Sequence, residues 1–272
     1  MRALRCDAGG HPVELVDHRE IGSGSDPLAF SATAFATVDF KERDNVRPGH
    51  FLVSAVRGPT EEIVRQHLGQ SGEGKSFAHV FPELTIDHSM RGIIADELLA
   101  LEAGAGRGPV IVVGGSFHDE VGTGFANRGV VYSRVGKELF DFQKVVAYFD
   151  KSKQCEDIVA SRSIKVMVTA IGLIAFPICK DLCHSYDTPF SQLDVDFLLT
   201  PSCGDDVTMS EHKGAAARLH DRFGCRSFVA QQSYPKRSDD VIGFVLPATS
   251  TVRKLADSAT FIQEPFSICA VS

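Results

Sequence analysis

Residues 171–185 read IGLIAFPICKDLCHS, and this stretch decides how the rest of the chain is interpreted. An apolar run ends at Cys179, and a second cysteine follows at Cys183 within a polar segment. Strands of an α/β sheet tend to carry functional side chains at their carboxyl ends. The stretch therefore fits a metal or haem site, a redox pair, or one reactive cysteine at the mouth of an active site.

The metal and haem interpretations lack the rest of their patterns. Covalent haem attachment uses C-x-x-C-H in an exported chain, and Cys179 and Cys183 are too far apart for that motif. A zinc site needs a second ligand pair at matching spacing, which the sequence does not contain. The seven cysteines are scattered and odd in number, which is typical of reduced thiols. A disulfide between Cys179 and Cys183 remains open.

Composition excludes several classes of protein. The chain has 272 residues, of which 43% are hydrophobic, enough to fill one large core or two modest ones. The net charge is -7 and no block of Lys or Arg stands out, so nucleic acid is not an expected partner. The apolar runs are shorter than the roughly 18 to 20 residues that span a bilayer, and the N-terminus has no apolar core typical of export signals. We expect a cytoplasmic protein without a membrane partner.

From about residue 50, β-branched runs alternate with helical patterns, which indicates α/β architecture. The segment TEEIVRQHLG predicts a helix capped by Thr60, and TMSEHKGAAARLHDRFG predicts one with a capping box of Thr208 and Glu211. HDEVGTGFANR reads as a loop between two buried strands. Residues 1–48 differ in kind, and we expect an N-terminal extension of unknown role with an edge strand in AFSATAFATVDF. Residues 49–272 are expected to form the main domain.

Three strand ends carry residues that could work together. In chain order they end near Glu83, Lys144 and Cys179. A free thiol with a pKa of about 8.5 needs a base or a nearby positive charge to attack a carbonyl or nitrile carbon. Glu83 can supply the base and Lys144 the charge. The ammonium can also stabilise the oxyanion, together with a backbone N–H just after the cysteine.

The motifs around these residues, VFPE, GKELFDFQK and IAFPICKDL, resemble those of the nitrilase (carbon-nitrogen hydrolase) superfamily, whose catalytic set is Glu-Lys-Cys. The resemblance implies an α/β fold, an αββα sandwich of the nitrilase type that becomes four-layered on dimerisation, and a homo-oligomer (dimer or higher). It also implies catalysis without a metal or other cofactor. The expected substrate is a small-molecule amide, carbamoyl compound or nitrile, cleaved through a covalent acyl-cysteine intermediate.

The same resemblance extends to neighbouring positions. It implies a second glutamate between the lysine and the cysteine, and Glu156 is the only glutamate in that interval. Family members commonly have an aromatic residue directly after the cysteine, where this chain has Lys180. Lys180 could lie beside the nucleophile or point outward and pair with Asp181. Lys180, Cys203 and His184 are the candidate pocket residues. Together with Arg128, Lys180 and His184 favour an anionic group on the substrate.

Three functions are consistent with these residues. The first is a thiol-dependent hydrolase of non-peptide C–N bonds, of the amidase, N-carbamoyl amidohydrolase or nitrilase type. The second is a catalytically silent nitrilase-like module that binds a small molecule or a protein within a larger system. The third is a soluble N-acyltransferase, in which an amine replaces water as the acceptor. No sequence rule selects the substrate.

Overall fold

The computed structural model describes residues 7–22, 28–35, 38–44, 46–104, 107–149, 154–183, 187–233, 243–245, 260–262 and 266–271. Within these ranges the chain forms three helices, namely α1 (Glu61–Glu73), α2 (His88–Ala103) and α3 (Asp206–Phe223). The strands in the first half of the chain are β1 (Asp7–Ala8), β2 (His11–Asp17), β3 (Leu28–Thr33), β4 (Asp39–Glu42), β5 (His50–Phe51), β6 (Val53–Arg57), β7 (Ala78–Val80), β8 (Ile111–Val113), β9 (Phe117–Val121) and β10 (Gly124–Ser133). The remaining strands are β11 (Glu138–Gln143), β12 (Cys155–Glu156), β13 (Ile164–Thr169), β14 (Gly172–Ala175), β15 (Phe197–Gly204), β16 (Arg226–Ser233), β17 (Gly243–Val245), β18 (Thr260–Ile262) and β19 (Phe266–Val271).

Most strands belong to two large sheets. The first sheet has the order β1-β2-β13-β14-β15-β16-β17-β18, and the second has the order β11-β10-β8-β7-β3-β19 with β9 beside β10. The shorter pairs β5–β12 and β4–β6 lie outside these sheets. The central pairs β7–β8, β14–β15 and β15–β16 are parallel, so their carboxyl ends face the same way within each sheet.

The two sheets pack face to face through a shared core. Phe30 of the second sheet stacks on Phe228 of the first, with ring centroids 3.8 Å apart, and Ile111 and Leu199 lie in the same cluster. Strand β8 and the first half of β15 are buried on both faces and therefore read as continuous apolar runs rather than as alternating ones. On β8, Val112 points to the opposite side from Ile111 and packs under the helices.

The helices cover the outer faces of both sheets. Val64 and Leu68 of α1 and Leu98 of α2 bury their side chains against the second sheet. Ala216 and Leu219 of α3 do the same on the first sheet. The predicted αββα sandwich is confirmed, with two helical layers and two sheets within one chain, and dimerisation stays a prediction.

The sheets extend across the boundary predicted at residue 48. β2 pairs in parallel with β13, and β3 lies between β7 and β19. The predicted edge strand is therefore wrong, because β3 has a hydrogen-bonded neighbour on each side. Any separate role of residues 1–48 stays a prediction.

The predicted helices are confirmed, with differences at their ends. Thr60 caps α1 by accepting a hydrogen bond from the Ile63 backbone N–H at 3.3 Å. The cap of α3 is Asp205, whose carboxylate accepts the Thr208 N–H at 2.9 Å, so the predicted capping box is wrong by one helical turn. No helix among the described residues is both long enough and apolar enough to cross a bilayer.

A buried polar network lies between α1 and the second sheet. His79 is fully buried, with Nδ1 2.9 Å from Ser31 Oγ and Nε2 2.9 Å from Thr33 Oγ1. Burial, followed by the nearby His67, lowers the pKa of His79 to about 3. His212 of α3 is also fully buried, and burial lowers its pKa to about 4. Both imidazoles are therefore neutral in the folded state at neutral pH.

The two buried histidines are expected to make the free energy of unfolding fall in acid. In the unfolded chain both histidines have their ordinary pKa of 6.5 and become protonated below that pH. In the folded chain protonation requires a lower pH, about 4 for His212 and about 3 for His79. The unfolded state binds more protons in this window, and stability falls as the pH falls. Between pH 7 and pH 5 we expect each histidine to lower the free energy of unfolding by about 2 kcal/mol. Urea denaturation at both pH values should give a smaller loss for His79→Gln than for the parent. Equal losses in the two proteins would contradict this.

Candidate active site

Cys179 opens a tight turn after the strand that the sequence predicted. β14 ends at Ala175, and a 3₁₀ turn covers Cys179–Leu182. Cys179 has a φ of 43°, which is uncommon for a residue other than glycine and marks backbone strain of the kind found at functional sites. Its side chain is buried, and Sγ lies 3.7 Å from the carbonyl oxygen of Cys203.

Lys144 lies between two buried carboxylates. It directly follows β11, and its Nζ donates to Glu83 Oε1 at 2.8 Å and to Glu156 Oε2 at 2.7 Å. Burial alone would lower the pKa of Lys144, but the charges of Glu156 and Glu83 outweigh it and hold the pKa well above its ordinary value. Burial alone would raise the pKa of Glu156, but Lys144 and His118 outweigh it and lower that pKa below its usual range. Lys144 therefore keeps its proton, and Glu156 remains ionised beside it.

Asn127 connects the two carboxylates that flank the lysine. Its Nδ2 donates to Glu83 Oε1 and to Glu156 Oε1, both at 2.8 Å. Asn127 lies on β10 opposite His118 of β9 in an antiparallel pair. The sequence read this region as a loop, and it is instead a β-hairpin that turns at Gly122, where φ is 58°.

Cys203 contacts the site through its backbone. Its N–H donates to Glu83 Oε2 at 3.1 Å, and its carbonyl oxygen is the acceptor near the Cys179 thiol. Cys203 lies near the end of β15, as the sequence predicted, and also lines the cavity described next. One residue of the first sheet thus touches both the acid and the thiol.

A cavity of about 330 Å³ brings these groups onto one surface. Glu83, Lys144, Glu156 and Cys179 all line it. Its apolar wall consists of Phe40, Phe51, Val53, Leu84 and Tyr148, and the acidic residues Glu42 and Asp205 also line it. Among the described residues that line the cavity, Lys144 is the only Lys or Arg. This part of the cavity is therefore rich in acids.

Of the three basic residues predicted to favour an anionic substrate, two are absent from the described lining of this cavity and the third lies outside the described residues. Lys180 is buried with its Nζ 5.2 Å from the centroid of the Tyr148 ring, and it is absent from the described lining of the cavity. The alternative that Lys180 points outward is therefore wrong. Arg128 pairs with Asp141 at 2.9 Å and lines a different, open cavity. His184 lies outside the described residues.

Asp181 has a role that the sequence did not reveal. Its carboxylate accepts the backbone N–H groups of Val145 at 3.1 Å, Val146 at 2.8 Å and Ile178 at 3.0 Å. The first two follow Lys144 and the third precedes Cys179. One buried carboxylate therefore joins the segment that carries the lysine to the turn that carries the cysteine.

The surroundings of Cys179 keep its thiol protonated, so a proton acceptor is needed when the sulfur attacks a substrate. Burial, followed by the Glu83 carboxylate, raises the pKa of the Cys179 thiol well above its ordinary value, against the opposing charge of Lys144. The resting thiol is therefore neutral. A carboxylate on the same cavity wall is suited to remove the thiol proton as a bond forms.

The other interpretations of CKDLCH can be compared with this geometry. Cys179 and Cys183 are both free thiols. In the part of the chain that the structure describes, no group of three or more His, Cys, Asp or Glu side chains is arranged to hold a metal ion.

The fold matches solved structures of carbon-nitrogen hydrolases. A carbon-nitrogen hydrolase from Helicobacter pylori has a TM-score of 0.59 and 11% identity, with 91% of this chain and 90% of that one covered. An amidase from Nesterenkonia sp. has a TM-score of 0.58 and 11% identity, with 91% of each chain covered. A variant of the Nesterenkonia amidase carries the acetamide moiety of fluoroacetamide on its active-site cysteine, and matches with a TM-score of 0.55 and 12% identity over 80% of this chain and 82% of that one.

A carbon-nitrogen hydrolase superfamily protein from Xanthomonas campestris, with an arsenic adduct in its active site, has a TM-score of 0.58 and 14% identity over 91% of each chain. No protein-family profile and no curated protein sequence matches this chain. At these identities the likeness establishes the fold that the sequence motifs predicted.

Proposed function

We propose that this protein is a thiol-dependent hydrolase of non-peptide C–N bonds in small amides, carbamoyl compounds or nitriles. The observation that carries the proposal is the single cavity wall on which Cys179, Glu83 and Lys144 meet. The neighbouring folds support it, since those proteins are amidases and carbon-nitrogen hydrolases.

The proposed reaction assigns one task to each residue. Cys179 Sγ attacks the carbonyl carbon while Glu83 takes the thiol proton, and the resulting oxyanion is stabilised by the Lys144 ammonium and the N–H that follows Cys179. Glu83 then returns the proton to the leaving amine as the C–N bond breaks. A water molecule, deprotonated by Glu83, then attacks the acyl-cysteine; the C–S bond breaks, the acid leaves, and Glu83 returns the proton to the Cys179 sulfur. Lys144 is assigned to charge stabilisation because two carboxylates hold its proton in place.

The lining of the cavity refines the substrate class. Glu42 and Asp205 lie on the cavity together with Glu83 and Glu156, and a carboxylate brought among them would be repelled. The five apolar and aromatic residues of the wall can hold an aliphatic chain. We therefore favour a neutral or cationic acyl group over the anionic one suggested by the sequence.

Mass spectrometry of Cys179 after exposure to a matched series of amides tests the proposal. The amides share one chain length and end in methyl, ammonium or carboxylate. We expect acyl adducts on Cys179 with the methyl and ammonium compounds, and about 10-fold less with the carboxylate. A carboxylate that reacts best would contradict the substrate class.

The same measurement, extended to carbamoyl compounds and nitriles, separates the alternative functions. No adduct with any amide, carbamoyl compound or nitrile would favour a silent binding module. An adduct that is released to an added amine much faster than to water would favour an N-acyltransferase. Release to water at the rate of turnover supports the hydrolase.

A further inference from the structure

His118 makes two hydrogen bonds that fix which of its ring nitrogens carries the proton. The backbone N–H of Val53 donates to His118 Nδ1 at 2.8 Å, so Nδ1 is the acceptor. His118 Nε2 lies 2.9 Å from Glu156 Oε1, so Nε2 carries the hydrogen and donates it to the carboxylate. The His118 side chain has no exposed surface, and that of Glu156 is 1% exposed.

Glu156 is therefore held from several sides. Oε1 accepts from His118 and from Asn127, while Oε2 accepts from Lys144 and from the Tyr148 backbone N–H at 2.9 Å. Each of the two oxygens has two donors, which fixes the rotation of the carboxylate. This orientation determines where Lys144 Nζ lies relative to Glu83.

We propose that His118 is a positioning residue that acts through Glu156 to hold the Lys144 ammonium at the place where an oxyanion develops. This inference rests on the proposed function. Losing the Nε2–H donor would leave Oε1 with Asn127 alone and let the carboxylate turn, and displacing a group that stabilises charge by about 1 Å can cost about 10- to 100-fold in rate.

Two near-isosteric variants separate this role from simple packing. The amide nitrogen of His118→Gln reaches the Nε2 position and can still donate to Glu156. The shorter side chain of His118→Asn places its amide at the Nδ1 position, where it can accept from Val53 but cannot reach Glu156. A purely structural histidine would tolerate asparagine at least as well as glutamine.

The kinetics of an accepted amide decide between the two roles. We expect His118→Gln to stay within about 3-fold of the parent in kcat, and His118→Asn to lose about 10- to 100-fold in kcat with little change in KM. In a protein that already carries Glu156→Gln, adding His118→Asn should lower kcat by almost nothing further. Equal kcat values for the two single variants would overturn the proposal.

A second measurement does not depend on turnover. Lys144 acts on the pKa of the Cys179 thiol, so the pH dependence of Cys179 alkylation by iodoacetamide reports the position of the ammonium. The alkylation midpoint should shift in His118→Asn and stay at the parental value in His118→Gln. If the parent hydrolyses no amide, the proposed function fails but this comparison still applies, and identical midpoints in all three proteins would overturn the positioning role.

Discussion

Replacing Cys179 with alanine is expected to abolish the turnover of every amide or nitrile that the parent accepts. The substitution removes the Cys179 thiol, which lies in the strained turn and lines the cavity. Its sulfur is the atom that would form the acyl intermediate. Loss of a nucleophile typically lowers kcat by about 10⁶-fold. Steady-state kinetics on one accepted amide measure the effect.

Cys183→Ala provides the matched control for this variant. Cys183 is also a buried free thiol and lies just beyond the same turn, with Sγ 4.0 Å from the Cys179 carbonyl oxygen, but it is not among the described residues that line the cavity. We expect it to keep kcat within a few-fold of the parent. Turnover that persists in Cys179→Ala and disappears in Cys183→Ala would overturn the assignment of the nucleophile.

Replacing Lys144 with methionine is expected to destabilise the fold and to abolish turnover together. The change leaves Glu83 and Glu156 as buried carboxylates without the cation that both now contact within 2.8 Å. Breaking a buried ion pair by removing one partner typically costs about 3 to 5 kcal/mol. Urea denaturation should report that loss in the free energy of unfolding, and the remaining folded protein should be inactive.

A second variant and a control make this prediction specific. Adding Glu156→Gln to Lys144→Met removes one of the stranded charges, so it should recover part of the stability while activity stays absent. Lys165→Met breaks the partly exposed pair with Asp141, whose atoms lie 2.9 Å apart, and should cost less than about 1 kcal/mol. Equal destabilisation by Lys144→Met and Lys165→Met would show that the buried cation is not essential to the fold.

The main parts of the candidate site could be predicted because each lies near the end of a strand that the sequence pattern indicates. Glu83, Lys144 and Cys179 come shortly after β7, β11 and β14, and Cys203 lies near the end of β15. Strand ends are visible in sequence because the hydrophobic run stops there. The αββα sandwich was predicted through the resemblance of these motifs to a known superfamily.

The residues that were missed depend on contacts between distant segments. His118 reaches Glu156 across 38 positions, and Val145 reaches Asp181 across 36, so no local pattern reveals either contact. The hairpin of β9 and β10 has polar and glycine residues that resemble a loop, and these residues form strands because β9 pairs with β10, which also pairs with β8 and β11. β3 was misassigned as an edge strand for the same reason, since its partners β7 and β19 are remote in sequence.

The contacts of Asp181 have a consequence for how the protein responds to damage in its interior. The segment after Lys144 continues from a strand of the second sheet, whereas the turn with Cys179 continues from a strand of the first. Lys144 and Cys179 therefore keep their spacing only while the two sheets keep their relative position. We expect a core substitution that shifts one sheet relative to the other, for example in the stacked pair Phe30 and Phe228, to change the spacing between the Lys144 ammonium and the Cys179 thiol as well as to lower the free energy of unfolding.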